Sequence, residues 1–333
     1  MELNYNYRPR FTEWVTASGL LECPFVLLDA GVNGGVHPRW GHLGPRLEVH
    51  GFDALPETIE PLAAARRPGH HYHATALGDR DGRTTIFVPI NKFAASLAPR
   101  QLSPEQSRLQ IDPKVSGSAT ERDVPLTRLD TLLAEGAIPP PDFLKLDCEG
   151  SEPAILRGAA ALLASPTLVG VQAEASFLPG DDGRVHFGAI FDLLRPHNFR
   201  VADIALGRFP YKSFAARARL LGDADAAVGV AGPVAALEVL FIRDFTATAH
   251  GATPETLLKS AIMLELYGLN DAAYDMLTVL ADRFPVSFDV AAAADRLVYR
   301  PPAAITGIKP LLRDLTTALR RSGRYRLNRR GLR

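Results

Sequence analysis

The residues most able to do chemistry are concentrated between positions 145 and 152, which read KLDCEGSE. Side chains alternate along a strand, so Lys145 and Asp147 are expected on one face, at the end of a buried apolar run. Glu149 follows two positions later and could take a proton from an attacking hydroxyl group, or orient that group. We therefore predict that Glu149 is the catalytic base and that Lys145 tunes the charge around it.

The other polar residues of this segment have a structural explanation. Ser151 is expected to cap the helix that follows, and Glu152 to lie in its first turn, where the helix dipole favours a negative charge. Glu174, at the end of the next predicted strand, is a third catalytic candidate. A salt bridge within a loop would explain Glu174 equally well.

Two groups of residues raise the question of a metal. Asp147, Glu149 and Glu174 could hold a divalent cation, because hard oxygen ligands suit magnesium. Their spacing does not demand this, so the cation is an alternative that is not favoured. His71 and His73 would share a strand face and could chelate a metal. Since no third ligand is nearby in sequence, an exposed strand start is favoured for them, and no metal ligands are assigned.

A second candidate site follows the first apolar strand, where residues 29–35 read DAGVNGG. Gly31 and Gly35 would let the backbone approach a ligand closely. The loop lacks the G-x-G-x-x-G pattern that aims a helix N-terminus at a pyrophosphate, and the leading Asp29 suits a cationic or amino-bearing ligand. Asp53, 24 residues later, could accept hydrogen bonds from both hydroxyls of a ribose. The alternative is that both acids only cap strand ends.

Short apolar runs alternate with helical patterns from residue 25 to about 242 and must position these side chains. Strands are predicted at 25–29, 48–53, 72–77, 84–88, 143–147, 168–173, 199–204 and 237–242, and helices at 56–67, 152–163 and 186–195. This alternation predicts a doubly wound α/β fold with a mostly parallel sheet. The polar segment 89–122 lacks periodicity and is predicted to be a long functional loop.

The sequence changes character after Asp244. Thr253 is a good helix N-cap, Gly268 a stop, and residues 271–284 form a second helical pattern. Leu311, Leu315 and Leu319 mark a short amphipathic helix before a basic tail. We therefore predict two parts: a catalytic α/β domain over residues 1–245, and a helical extension with its tail over residues 246–333.

Composition narrows the classes of function. The 333 residues carry 37 basic and 37 acidic side chains, so general nucleic-acid binding is not expected. The charges are unbalanced at the C-terminal end of the sequence, where residues 309–333 contain nine basic residues and one acid. Two cysteines without a CxxC, and no apolar run of 18 residues, favour a cytoplasmic protein without a membrane span. Oligomeric state cannot be predicted.

Several motifs together resemble the FkbM-type methyltransferase family. They are the D-x-G-x-N-x-G loop at residues 29–35, the F-D-x-x-P end of the second strand at 52–56, the turn ALGDRDG at 76–82, the block LKLDCEGSE at 144–152 followed by Gly158, and the acid of QAE at 172–174. The resemblance extends over about residues 23–244, and the K-x-D-x-E-G-x-E block is its most specific part.

The resemblance implies a seven-stranded methyltransferase sheet, S-adenosylmethionine as cofactor and O-methylation of a sugar, glycan or natural product. S-adenosylmethionine carries an amino group and a sulfonium but no phosphate, which agrees with the acidic loop. Seven residues are thereby expected to bind the cofactor: Asp29, Gly31, Asn33, Gly35, Asp53, Asp79 and Asp147. A nicotinamide-dependent oxidoreductase, or a non-catalytic module that presents the helical extension to a partner, is the alternative. No Tyr-x-x-x-Lys pair supports the oxidoreductase.

Overall fold

The structure is a computed structural model that describes residues 2–97, 106–109, 111, 118–178, 186–222, 232–246 and 251–298. The predicted helix at Leu311, Leu315 and Leu319, the basic tail, and parts of the predicted loop 89–122 lie outside these residues. Across the described ranges, no helix combines the length and apolar character needed to cross a membrane.

Ten strands form two sheets in the described part of the chain. They are β1 (Phe25–Ala30), β2 (Leu47–Asp53), β3 (His70–Ala74), β4 (Ala76–Leu77), β5 (Gly82–Pro89), β6 (Ala119–Thr127), β7 (Phe143–Leu146), β8 (Gly170–Ala175), β9 (Phe199–Arg208) and β10 (Val234–Arg243). The main sheet has the order β3-β2-β1-β7-β8-β10-β9, and β10 runs opposite to the other six strands. This order confirms the predicted doubly wound, mostly parallel sheet of seven strands.

The second sheet overturns one prediction. Residues 72–77 were expected to form one strand, but the chain changes sheet at Thr75. The part before it, β3, pairs with β2, whereas β4 pairs with β6 in a three-stranded sheet of order β4-β6-β5. Residues 72–77 are buried or half-buried on both sides of Thr75, so the sequence pattern does not show where the chain leaves the main sheet. The beginning of β6 also lies inside the predicted loop 89–122. This strand was not predicted, because its internal Pro125 argues against a strand at that place.

Ten α-helices surround the sheets in the described ranges. They are α1 (Arg10–Ala17), α2 (Pro56–Ala64), α3 (Leu129–Ala134), α4 (Glu152–Arg157), α5 (Ala160–Ala164), α6 (His186–Leu194), α7 (Lys212–Leu220), α8 (Pro254–Leu266), α9 (Asn270–Arg283) and α10 (Val290–Leu297). Thr253 caps α8 by accepting a hydrogen bond from the Thr256 amide, and Gly268 follows it with a φ of 70°, as predicted. The helix predicted at 152–163 is instead interrupted at Gly158. A Cβ there would lie 1.9 Å from the Gly78 carbonyl oxygen, so this close backbone approach requires glycine.

Two hydrophobic clusters hold the main sheet between them. Because side chains alternate along β1, Phe25 and Leu27 enter one cluster and Leu28 enters the other. The first cluster also contains Met263 and Tyr267, from α8 and its C-cap. The C-terminal helices therefore pack directly on the sheet and share its core. The domain boundary near residue 245 stays a prediction.

Candidate active site

A cavity of about 500 Å³ opens at the carboxyl ends of β1, β2 and β7. Chain order reverses on either side of β1, and ligands of open α/β sheets bind at such a point. Five residues predicted from the sequence line the cavity: Gly31, Asn33, Asp53, Asp147 and Glu149. The fold thus brings the β1 loop, the end of β2 and the KLDCEGSE segment together.

The loop after β1 is fixed by its own backbone contacts. The amides of Gly31 and Val32 donate to the Phe52 carbonyl oxygen at 2.8 and 3.1 Å. Gly31 has a φ of 80°, and a Cβ there would lie 1.9 Å from the carbonyl oxygen of Asp147. Glycine is therefore required at position 31 by contact with the chain after β7, in addition to any ligand. Gly34 lines the cavity, whereas the predicted Gly35 lies beside Leu62 and outside the wall.

Asp53 ends β2 with its carboxylate half-buried at the cavity wall. Its Oδ1 accepts a hydrogen bond of 2.8 Å from the Leu55 amide, so the strand-end cap considered from the sequence does exist. The Oδ2 oxygen is not used by this turn. Burial raises the pKa of Asp53 despite that hydrogen bond. The residue therefore caps the strand end and also faces the cavity.

Lys145 links two carboxylates beneath the cavity. Its Nζ lies 3.1 Å from Asp29 Oδ1 and 3.1 Å from Asp147 Oδ2, and it donates to the Gly31 carbonyl oxygen at 3.4 Å. Only 4% of the Asp29 side chain is exposed, against 38% for Asp147. Burial alone would lower the pKa of Lys145, but the two carboxylates outweigh it and raise that pKa. Burial raises the pKa of Asp29, which Lys145 opposes. Lys145 and Asp29 thus hold the loop and Asp147 in place from below.

Glu149 lies in a turn of uncommon conformation between β7 and α4. Its φ is 53°, a value that costs energy for a residue with a Cβ and that is concentrated at functional sites. The fully buried Glu152 carboxylate holds this turn by accepting hydrogen bonds from the amides of Cys148 (2.7 Å) and Gly150 (3.0 Å). Ser151, predicted to cap α4, makes no side-chain cap. That prediction was wrong because the carboxylate inside the helix reaches back to the turn instead.

Glu174 lies near the end of β8, outside the cavity wall, in a strongly acidic environment. Burial, and after it the nearby carboxylates, together raise its pKa to about 9; these carboxylates are those of Glu149, Asp147, Glu152 and Glu238. Glu238 is directly opposite Glu174 on antiparallel β10. Sequence reasoning missed Glu238 because nothing in the chain indicates which residue of a distant antiparallel strand pairs with Glu174.

Glu238 is held by a short hydrogen-bonded chain that reaches the C-terminal helices. Gln172 Nε2 donates to its Oε2 at 2.7 Å, and the Tyr267 hydroxyl donates to Gln172 Oε1 at 2.7 Å. Burial raises the pKa of Glu238, and Asp147 raises it further. Asp29, Glu174 and Glu238 thus all interact electrostatically with Asp147, and Lys145 is the cation that contacts Asp29 and Asp147. Such a site favours a cationic ligand.

The remaining cofactor residue predicted from the resemblance, Asp79, is not part of the cavity wall. Its carboxylate lies 3.3 Å from an Arg157 nitrogen and 3.7 Å from one of Arg80, at the surface. In contrast, Lys92 and Ser96 line the cavity although sequence reasoning missed them. Ser96 Oγ donates to the Glu149 carbonyl oxygen at 3.0 Å. Both belong to the predicted functional loop, whose polar sequence gives no indication of which residues point inward.

A family model for the methyltransferase FkbM domain matches residues 33–201, which is just over half of the chain. The chain belongs to the FkbM methyltransferase domain family. The match contains the KLDCEGSE segment, Asp53 and Glu174, and it confirms the resemblance found from the motifs. No curated protein matches the chain.

Solved structures of other methyltransferases are similar to this family member at low identity. An FkbM methyltransferase from Methylobacillus flagellatus is 13% identical over 69% of this chain and 47% of its own, with a TM-score of 0.34. The match thus spans about half of that protein. A precorrin-6y C5,15-methyltransferase from Geobacter metallireducens is 13% identical, over 70% of this chain and 87% of its own, with a TM-score of 0.31. A TehB-like SAM-dependent methyltransferase from Corynebacterium glutamicum is 14% identical, over 70% and 88%, with a TM-score of 0.26.

Proposed function

We propose that this protein transfers a methyl group from S-adenosylmethionine to a hydroxyl group of a sugar, glycan or natural product. One observation carries the proposal: Asp53 at the end of β2 shares a single cavity with Asp147 and Glu149 after β7. The first acid suits a ribose, the second a cationic group, and the third a reacting hydroxyl. FkbM family membership supports the reaction class.

The cavity fits the chemical parts of S-adenosylmethionine. Its volume of about 500 Å³ is in the usual range for small-ligand pockets, roughly 300 to 1,000 Å³. The wall includes apolar side chains that suit a purine ring, from Phe52, Leu77, Ile86 and Leu97. The acids at the end of β7 suit an amino group and a sulfonium. When bound, this cofactor supplies a methyl carbon that is open to displacement by a nucleophile.

The protein's own residues have separate tasks in this proposal. Asp53 accepts hydrogen bonds from the ribose hydroxyls, and Asp147, anchored by Lys145, binds the cationic part. Glu149 takes the proton from the acceptor hydroxyl as the new bond forms. Close alignment of the two reactants in the cavity supplies much of the remaining rate enhancement.

Glu174 has a supporting task behind Glu149. Its raised pKa favours a protonated, uncharged Glu174 near neutral pH, which limits the charge repulsion among the neighbouring carboxylates. A cation in the cavity would lower that pKa and release the proton. Among the described residues, the ligand atoms of Asp147, Glu149 and Glu174 are not gathered within 4.8 Å of one another, so we do not assign them a divalent cation.

The variant Glu149→Gln tests the proposed base. We expect unchanged affinity for S-adenosylmethionine and a turnover lowered by roughly 10²- to 10⁴-fold, the usual contribution of a positioned acid or base. The acceptor would first be found by screening glycans and small polyols with labelled S-adenosylmethionine. Glu135→Gln, an exposed acid at the end of α3, is the matched control.

Three outcomes of this experiment are distinguishable. Near-normal turnover together with a stability loss of about 1 kcal/mol would make Glu149 only a structural residue of the turn. A wild-type enzyme that is silenced by a chelator and restored by added magnesium would replace the base with a metal-assisted reaction. Only a catalytic loss that does not respond to added magnesium, with melting temperature and cofactor affinity retained, agrees with the proposal.

A further inference from the structure

A second cluster of chemically able side chains lies on β2 and β3, at the edge of the main sheet. The two strands are parallel, and their register pairs His50 with His71 and Phe52 with His73. Residues two apart share a face, so Glu48 and His50 on β2 lie beside His71 and His73 on β3. The third donor that the sequence near His71 lacked is therefore supplied by the neighbouring strand. The favoured alternative, an exposed strand start, holds only for His71.

The ligand atoms of Glu48, His50 and His71 all lie within 4.8 Å of one another. His50 Nε2 is 3.0 Å from Glu48 Oε1. Two ligand atoms that are each roughly 2.0 to 2.1 Å from a tetrahedral zinc ion are about 3.3 Å apart. The separation of His50 Nε2 and Glu48 Oε1 is thus close to that of two ligand atoms on one zinc ion. The His71 ring lies beside them and stacks on His50, with ring centroids 4.9 Å apart.

His73 completes the arrangement as an outer partner. Its Nε2 is 3.2 Å from His50 Nδ1, the ring nitrogen that points away from Glu48. A histidine that binds a metal through one nitrogen usually donates its other N–H to a carboxylate, a backbone carbonyl or water, and here a ring nitrogen of His73 takes that place. His73 can therefore hold the His50 ring in the orientation that presents Nε2 to Glu48.

We propose that Glu48, His50 and His71 form a zinc site on the sheet, separate from the cavity at the strand ends. Two imidazoles and a carboxylate are a ligand set that zinc accepts, with a fourth position left for water. His50 is buried and can hold the ion in a fixed position, whereas His71 is exposed, so the ion can reach the site from solvent. His73 orients His50 from behind. This site goes beyond the proposed methyl transfer and does not depend on it.

The site also lies against the wall of the cavity. The His73 ring stacks on Phe52 with centroids 4.4 Å apart, and Phe52 lines the cavity. Zinc that fixes His50 and His73 would therefore also restrict this part of the wall. We expect zinc to contribute to the stability of the sheet edge.

Zinc binding by the full chain without an affinity tag tests the site directly. The protein would be stripped with a chelator, given zinc, passed through a desalting column and analysed by elemental mass spectrometry. Affinity would be measured by competition with a chromophoric chelator. We expect one zinc per chain in the wild type, and more than about 100-fold weaker binding in His71→Ala, beyond the cost of losing an outer partner. His71 is exposed, so this variant should retain the fold.

His70→Ala is the matched control, because His70 is the neighbouring residue of β3 on the opposite face and contacts Tyr72. It should bind zinc as the wild type does. Zinc should also raise the melting temperature of the wild type and of this control but not that of His71→Ala. A wild-type chain that retains no zinc, or a His71→Ala variant with unchanged affinity, would overturn the site and leave only a hydrogen-bonded histidine cluster.

Discussion

Asp29 and Asp53 hold equivalent places in the sequence, each at the end of a buried parallel strand, yet they lie in different environments. The Asp29 side chain is 4% exposed and pairs with Lys145 Nζ at 3.1 Å, outside the cavity wall. Asp53 is half-buried, lines the cavity and is held by the amide of Leu55. Asp29 and Lys145 thus form a buried ion pair beneath the cavity, the closed region. Asp53 faces the space in which a ligand would bind, the open region.

The difference follows from position in the sheet. Asp29 lies on the central strand β1, so neighbouring β7 brings Lys145 directly beside it. Asp53 lies on β2, next to the edge strand β3, where the register offers Ala74 and no charge. Acids at strand ends therefore become structural where the next strand supplies a cation, and remain open to a ligand where it does not.

The largest effect is expected from breaking the closed region. Lys145→Met should lower the free energy of unfolding by about 3 to 5 kcal/mol, because Asp29 would then be a buried charge without a partner. The loss should shrink at low pH, where Asp29 is protonated. Chemical denaturation of this variant and of Asp29→Asn/Lys145→Met checks the explanation, since the double variant should recover part of the loss. A stable Lys145→Met chain would show that the pair is not structural.

A smaller effect is expected from a substitution in the open region, at Asp53. Asp53→Ala should weaken binding of S-adenosylmethionine by roughly 1 to 3 kcal/mol, the cost of leaving hydrogen-bonding groups without a charged acceptor. The comparison predicts that this loss appears in calorimetric affinity while thermal stability changes far less than in Lys145→Met. Equal affinity in variant and wild type would mean that Asp53 only caps β2.

The smallest effect per unit of pH concerns Glu174, which extends the closed region to β8. Its pKa is about 9 in the folded chain against an ordinary 4.5, so between these values the folded chain binds the proton more strongly than the unfolded chain. The wild type should therefore lose stability as pH rises from about 5 to 9, by at most about 1.4 kcal/mol per pH unit. Glu174→Gln should show a flatter dependence in denaturation curves recorded across that range. Identical slopes would contradict the raised pKa.

Local patterns predicted the sheet and part of the site. Strands β1, β7 and β10 of the main sheet have strong apolar runs, and the KLDCEGSE segment encodes both Lys145 and Glu149 within a few residues. Contacts between distant segments were not predictable. The change of sheet at Thr75, the opposition of Glu238 to Glu174 and the meeting of His50 with His71 all depend on strand pairing that no short pattern specifies.

Binding of S-adenosylmethionine to the wild-type chain, measured by calorimetry beside NADH, is the most direct test of the central claim. The acidic cavity lined by Asp53, Asp147 and Glu149 predicts one bound S-adenosylmethionine per chain and no binding of NADH, whose pyrophosphate would meet these carboxylates. Absence of S-adenosylmethionine binding, or displacement of it by NADH, would contradict the account.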